Sequence, residues 1–104
     1  MDGLMMLLTQ QLKDRFLQVG SQEEVKDPVV IAHYFHPYSS RHWYATEYDD
    51  VEQLFFGFVD GVFGERWSFW LNEMKDIIIF GLPLERDLHR EEKPFSEIKF
   101  KDDA

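Results

Sequence analysis

A group of carboxylates in the middle of the chain holds the densest set of chemically active side chains. Glu47, Asp49 and Asp50 lie within four positions, and Glu52 follows two residues later. Carboxylate oxygens of this kind bind Mg²⁺ or Ca²⁺. However, the spacing does not match a helix–loop–helix calcium loop, which needs oxygen ligands at alternate positions and a glycine at the sixth. The pattern therefore favours a solvated acidic turn over a metal site, and we expect no cofactor.

Four histidines are the second set of candidate ligands: His33, His36, His42 and His89. His33 and His36 are three residues apart, and such positions point to opposite faces of a strand. A zinc site built from His36, His42 and Glu47 is a weak metal candidate, because no motif supports it. Histidines on a sheet face with ordinary hydrogen bonds are the favoured interpretation.

Glu85, Arg86 and Asp87 form the most distinctive polar triplet of the chain. The planar guanidinium of Arg86 could clamp a carboxylate or a phosphate, with the two acids orienting it. The structural alternative is an ion pair between Arg86 and a carboxylate of the sheet, such as Glu47. We favour the structural alternative, since ion pairs of this kind often serve architecture.

The motifs of common enzyme classes are absent from the sequence. It contains no Gly-x-Ser-x-Gly, phosphate-binding loop, dinucleotide fingerprint or His-Glu-x-x-His. It also contains no cysteine, which excludes disulfides, cysteine-ligated zinc and thiol catalysis. A role without catalysis is therefore favoured. The alternative is a metal-assisted hydrolase that uses the carboxylates and histidines around residues 36–50, namely His36, His42, Glu47 and Asp49.

Charge is unevenly distributed along the chain. The formal net charge is −9, and residues 42–65 contain six acidic side chains, seven aromatic ones and no Lys or Arg. Aromatic strands that bind single-stranded nucleic acid carry cations between the rings, so this segment argues against direct nucleic-acid binding. We expect an acidic, aromatic face that binds a protein, one whose own basic surface binds nucleic acid. The residues assigned to this face are Trp43, Tyr44, Glu47, Asp49, Asp50 and Glu52.

The periodicity of the chain predicts the elements that position these side chains. Residues 29–35, 42–48, 54–59 and 66–71 are β-branched and aromatic runs separated by short turns, which indicates four strands in an antiparallel meander. A short helix is predicted over residues 9–18, where Thr9 is the candidate N-cap.

Residues 72–80 are compatible with either element. Asn72 suits a helix N-cap, whereas the run Ile77-Ile78-Ile79-Phe80 suits a strand, and we assign only the first half to a helix. The tail from residue 85 is expected to be irregular. The predicted fold is thus α+β, an antiparallel sheet of about four strands with two short helices. We expect one domain over residues 1–104, frayed at both ends.

Several different short motifs follow one another along nearly the whole chain. They lie at residues 7–9, 35–37, 43–49, 55–61, 65–69, 81–88 and 93–98. In these motifs the chain resembles a bacterial family known only as domain-of-unknown-function family 2958. It departs from the family at residues 67–69, which read Trp-Ser-Phe in place of Gly-Tyr-Phe, and at Asn72-Glu73-Met74. The family has no established activity, so the resemblance implies no catalytic residues. Its members often lie on plasmids and prophages, which implies an accessory role in a bacterial mobile element.

The N-terminal residues do not resemble a secretory signal. Asp2 stands where such a signal carries basic residues, and the apolar run of residues 4–8 is too short to cross a bilayer. We therefore expect a cytoplasmic protein without a membrane association. The sequence leaves the oligomeric state open.

Overall fold

An antiparallel sheet of five strands forms the centre of the fold. The computed structural model describes residues 7–39, 41–59, 66–88 and 91–98. In chain order its elements are α1 (Gln10–Val19), β1 (Val29–Val30), β2 (Ala32–Phe35), β3 (His42–Asp49), β4 (Leu54–Val59), β5 (Arg66–Trp70), α2 (Leu71–Lys75), β6 (Ile78–Ile79), β7 (Leu82–Pro83), β8 (Glu85–Arg86), β9 (Lys93–Pro94) and a 3₁₀ turn (Phe95–Glu97).

Four consecutive strands form the predicted meander, and a short strand from the tail completes the sheet. The strand order is β5-β4-β3-β2-β8, and every neighbouring pair is antiparallel. β2 to β5 lie side by side in the order of the chain, as expected of antiparallel strands that follow one another closely in sequence. The predicted α+β class with two helices is confirmed, while β8 is an addition that the sequence did not predict.

The first helix forms where the sequence predicts it. The hydroxyl of Thr9 accepts a hydrogen bond from the amide of Leu12 (3.2 Å), as an N-cap does, and Gly20 ends the helix with φ of 74°. Phe16 is buried against the sheet, where its ring contacts Tyr48 and Phe55 at centroid distances of 6.0 and 5.9 Å. Neither helix of the described residues is long and apolar enough to cross a membrane.

The ambiguous segment contains both predicted elements. α2 begins at Leu71, one residue before Asn72, and its N-cap residue Trp70 makes no side-chain cap hydrogen bond, so the predicted cap is wrong. A two-stranded hairpin of β6 and β7 follows. Phe80 and Gly81 connect its strands with φ values of 53° and 79°, the left-handed conformation that tight hairpin turns require. Ile78 and Ile79 are therefore extended because they pair with β7.

The tail is more ordered than the sequence predicts. β9 pairs with β1, so the prediction of an irregular tail from residue 85 is wrong. Arg15 of α1 makes a two-pronged ion pair with Glu92 (2.8 Å for each bond), and Asp27 accepts hydrogen bonds from the amide and hydroxyl of Ser96 (2.8 and 2.6 Å). These contacts between distant parts of the chain fix the tail. The predicted fraying concerns chain ends that lie outside the described residues.

Both faces of the sheet carry an apolar core. The larger core lies under α1 and α2 and includes Phe16, Trp43, Phe55 and Met74. The smaller core lies on the opposite face and consists of the buried residues Val30, Tyr44 and Ile98, with Phe58 and Phe95 packed against them. The rings of Phe58 and Phe95 stack with centroids 3.6 Å apart. The tail therefore covers part of the second face.

A β-bulge interrupts the pairing of β3 with β4. Ala45 lies opposite Gly57 and Glu47 lies opposite Phe56, which leaves Thr46 as the extra residue. The backbones come so close beside the bulge that a Cβ at Gly57 would overlap the carbonyl oxygen of Tyr44. Only glycine fits this position without separating the two strands.

Candidate functional site

The acidic residues of β3 and of the following turn lie together at one end of the sheet. We call Glu47, Asp49, Asp50 and Glu52 the acidic end. Oδ1 of Asp49 accepts hydrogen bonds from the amides of Val51 (2.9 Å) and Glu52 (3.2 Å), a side-chain turn that fixes the connection to β4. Asp50 and Glu52 are exposed. Lys13 of α1 forms an ion pair with Asp50 (3.4 Å), which places the helix beside this turn.

The two aromatic residues assigned to the acidic face do not lie on it. Trp43 and Tyr44 are both buried. They are adjacent in β3, so their side chains point to opposite faces of the sheet. Trp43 belongs to the larger core and Tyr44 to the smaller one. Of the residues assigned to the expected face, only the four carboxylates of the acidic end lie together.

A pocket opens between α1 and the strands that lead to the acidic end. Its volume is about 290 Å³, and its lining residues are Phe16, Leu17, Gly20, Ser21, Glu47, Tyr48, Asp49 and Phe56. Within the described part of the chain, Oε2 of Glu47 and the hydroxyl of Tyr48 are buried and have no hydrogen-bond partner. Burial, followed by the charges of Asp50 and Asp49, raises the pKa of Tyr48. Glu47 and Tyr48 both line the pocket, but they are adjacent in β3, so their side chains point to opposite faces of the sheet.

A second polar constellation links two histidines to the triplet at residues 85–87. Nε2 of His33 lies 2.8 Å from Nδ1 of His42, and Nδ1 of His33 lies 3.1 Å from Oδ2 of Asp87. The two imidazoles and the ring of Tyr44 lie nearly parallel. A hydrogen bond between two imidazoles requires one nitrogen without a proton, so at least one of the two rings is neutral. The chain of contacts connects β2, β3 and the residue after β8.

The other members of the triplet also lie on the sheet edge. Glu85 and Arg86 form β8, opposite Phe35 and Tyr34 of β2. The amide of Asp87 donates to the carbonyl of His33 (2.9 Å). Arg86 lines a cavity of about 480 Å³ beside α1, whereas Glu47 lines the smaller pocket described above. The triplet thus lies at the edge of the sheet, and its structural role, including an ion pair of Arg86 with a sheet carboxylate, stays a prediction.

The three residues of the weak metal candidate, His36, His42 and Glu47, do not form a site in the structure. Nε2 of His36 bonds the carbonyl of Leu82 (2.8 Å), and Nδ1 accepts from the amide of Tyr38 (3.0 Å). His36 is therefore occupied by the backbone, His42 bonds His33, and Glu47 lies in the pocket beside α1. Among the residues that the structure describes, no three His, Asp or Glu side chains are grouped to hold a metal ion. The metal-assisted hydrolase thus receives no support from this geometry.

Several large apolar side chains are exposed, among them residues beside the acidic end and on the β6–β7 hairpin. Leu17 and Val51 are 84% and 89% exposed, the first beside the pocket and the second in the acidic turn. Ile78, Phe80 and Leu82 are exposed on the β6–β7 hairpin, and the ring of Phe80 contacts that of Tyr38 at 5.8 Å. Exposed apolar groups beside charged ones are typical of protein-binding surfaces.

The family model described as "Protein of unknown function (DUF2958)" matches residues 7–99. The chain belongs to this family. No curated protein and no solved structure matches the chain. The match includes the acidic end, the pocket and the histidine pair, and it assigns no activity to any of them.

Sequence reasoning missed the His33–His42–Asp87 contacts and the pocket. Alternation in β2 and β3 could have placed His33 and His42 on a shared face, but only if the register between the strands had been known. Asp87 is 54 residues from His33, and no local pattern predicts that pairing. The pocket depends on how α1 packs on the sheet, which the sequence pattern leaves open.

Proposed function

We propose that this protein is a small binding module that contacts a partner protein through its acidic end. The partner carries a basic surface, because opposite charges at an interface favour encounter and exclude partners of the wrong sign. The setting of a bacterial mobile element, such as a plasmid or prophage, belongs to the same proposal and comes from the family resemblance. A partner that itself binds nucleic acid fits this chemistry.

The observation that carries the proposal is the mixture of charged and apolar groups at the acidic end. Asp50 and Glu52 are exposed, and the neighbouring Val51 is 89% exposed. Leu17 is exposed on the adjacent helix, beside the pocket. Interfaces draw affinity from desolvated apolar groups, and surrounding charges set orientation and specificity. Neither an exposed valine nor an exposed leucine stabilises the isolated chain through burial.

The test is to reverse charges at the acidic end and measure partner capture. Immobilised wild-type chain and the double variant Asp50→Lys/Glu52→Lys are incubated with a lysate of the host bacterium. Bound proteins are then quantified by mass spectrometry. Both side chains are exposed, so the variant retains the fold, which circular dichroism checks. We expect basic proteins enriched by the wild type to be lost from the variant.

The matched control is Glu24→Lys/Glu73→Lys. It changes the net charge by the same amount at two other exposed acids, one in the loop after α1 and one in α2. This control should capture the same proteins as the wild type. Equal capture by all three chains, or equal loss from both variants, contradicts a role for the acidic end.

A further inference from the structure

Within the described residues, the tail covers only part of the sheet face that carries the smaller core. Residues directly opposite each other in an antiparallel pair share a face, so Leu54 lies beside Trp70, and Phe56 beside Ser68. Phe58 belongs to the same face, because it follows Phe56 by two residues, and its ring is stacked under the tail. Leu54 and Phe56 are only half-buried, whereas Ser68 and Trp70 are exposed. We call Leu54, Phe56 and Trp70 the apolar strip.

The apolar strip lies directly beside the acidic end. Asp49 is opposite Leu54 in the pairing of β3 with β4, so its carboxylate is on the same face as the strip. The amide of Leu71 donates to the carbonyl of Gln53, in the turn between β3 and β4 (3.0 Å). Trp70 precedes Leu71 and is 43% exposed. The hydrogen bond therefore holds the tryptophan end of the strip next to the acidic turn.

This combination determines what a partner must supply. Tryptophan often contributes a large share of the binding energy at an interface, provided that the partner shields its ring from water. The partner must therefore place apolar side chains on the strip and cations beside the carboxylates. A second copy of this chain brings the same acidic residues and a formal net charge of −9, so like charges oppose that contact.

A helix is the element that suits an open sheet face. The apolar stripe of an amphipathic helix commonly packs on a sheet, as α1 and α2 do on the larger core of this protein. A helix about 10 Å wide covers about two strands that lie ~4.8 Å apart, so one helix fits over β4 and β5. Basic residues along the border of its stripe then lie beside Asp49, Asp50 and Glu52.

We propose that the apolar strip binds a basic amphipathic helix of the partner protein. This inference rests on the proposed function, because it names the partner segment that the acidic end contacts. The apolar stripe of the helix packs on Leu54, Phe56 and Trp70, and its basic residues pair with the acidic end. Trp70 contributes the largest share of the binding energy.

The experiment titrates the intact ¹⁵N-labelled chain with a synthetic peptide of leucine and lysine. The peptide has about 14 residues, roughly four helical turns, and its leucines recur at helical spacing. The expected result is a saturable shift of the indole N–H signal of Trp70 and of the amide signals of Asp50 and Val51. A peptide of the same composition in scrambled order has the same charge without the stripe, and it should bind about tenfold more weakly or worse. A peptide with glutamate in place of lysine should not bind.

Two variants with matched substitutions locate the binding site. Trp70→Asn removes the ring and should preserve the fold, because Trp70 is the N-cap residue of α2 and asparagine is a favoured N-cap. It should weaken binding of the lysine peptide by about tenfold or more, measured on the amide signals of the acidic end. The control Phe80→Asn removes an exposed ring from the β6–β7 hairpin at φ of 53°, a conformation that asparagine tolerates. It should bind the lysine peptide like the wild type.

Four results overturn the proposal. Three are binding of the scrambled or the glutamate peptide as tight as that of the lysine peptide, unchanged binding to Trp70→Asn, and an equal loss of binding in Phe80→Asn. The fourth is a wild-type dimer in light scattering that Trp70→Asn dissociates, because it assigns the strip to a second copy of this chain.

The outcome is separable from that of the proposed function. Partner capture that depends on Asp50 and Glu52 but persists in Trp70→Asn contradicts the role of the strip alone. Binding of the lysine peptide that depends on Trp70, without charge-dependent capture from the lysate, contradicts the proposed function alone.

Discussion

The close approach of β3 and β4 at Gly57 predicts a large loss of stability in Gly57→Ala. A Cβ there would overlap the carbonyl oxygen of Tyr44 and lie 2.9 Å from its carbonyl carbon and 3.1 Å from the Cα of Ala45. All three atoms belong to the backbone of β3, so no side-chain rotation relieves the overlap. The strands must separate beside the bulge at Thr46.

The size of the loss follows from what the separation breaks. Forced overpacking costs about 1–3 kcal/mol. Roughly two interstrand hydrogen bonds are strained or lost, at about 1 kcal/mol each. Gly57→Ala should therefore reduce the free energy of unfolding by about 3–5 kcal/mol, a large part of the ~5–15 kcal/mol typical of a small domain.

The assay is urea unfolding followed by tryptophan fluorescence, which reports on the buried ring of Trp43. Gly81→Ala is the matched control: Gly81 has φ of 79° but no atom within 4 Å of its Cβ position, so only backbone strain of about 1–2 kcal/mol is expected. A loss at Gly57 no greater than that at Gly81 refutes the argument from close approach.

Three further predictions address single polar contacts. Hydrogen bonds from Ser96, chiefly from its hydroxyl, lower the pKa of Asp27, so Ser96→Ala should raise that pKa towards its ordinary value in an NMR titration of the carboxyl carbon. Because folding lowers the pKa of Asp27, this contact stabilises the folded chain at pH values above the ordinary pKa of that carboxyl. The difference in stability between the wild type and Ser96→Ala should vanish as the pH falls through the pKa of Asp27 in the folded chain. Glu47→Gln should leave the melting temperature unchanged or raise it, because the buried oxygen that loses its charge has no partner in the described structure; a fall of several degrees contradicts that reading. His36→Leu should lower the free energy of unfolding by about 2–4 kcal/mol, since it leaves the Leu82 carbonyl and a second backbone group without partners, and hydrogen exchange that stays slow in the β6–β7 hairpin counts against it.

Local patterns were sufficient to predict the elements of this fold. Thr9 caps α1 as expected, because an N-cap depends on a few neighbouring residues. The last three runs of β-branched and aromatic residues form β3 to β5, while the first is divided into β1, which pairs with β9, and β2, which joins the meander. The additional strands β8 and β9 are two residues long and depend on partners at least 50 residues away, so no local signal marks them.

The candidate site was predicted less well, for a different reason. The composition of residues 42–65 led us to assign rings and carboxylates to one face of the sheet. In the structure, alternation along β3 places Trp43 and Tyr44 in opposite cores, and the acidic residues lie at the end of the strand. Composition is a property of a segment, whereas exposure depends on the packing of other elements against it.

The order in which the ribosome makes the chain gives the tail a further consequence. The stacked ring of Phe95 and the buried Ile98 cover the second face of the sheet, yet they are synthesised after every strand of the meander. Until they leave the exit tunnel, the nascent chain presents Tyr44 and Phe58 as an uncovered apolar surface. Such surfaces are prone to aggregate or to recruit chaperones. A chain that stalls near residue 90 during translation should therefore be a better chaperone substrate than the finished protein.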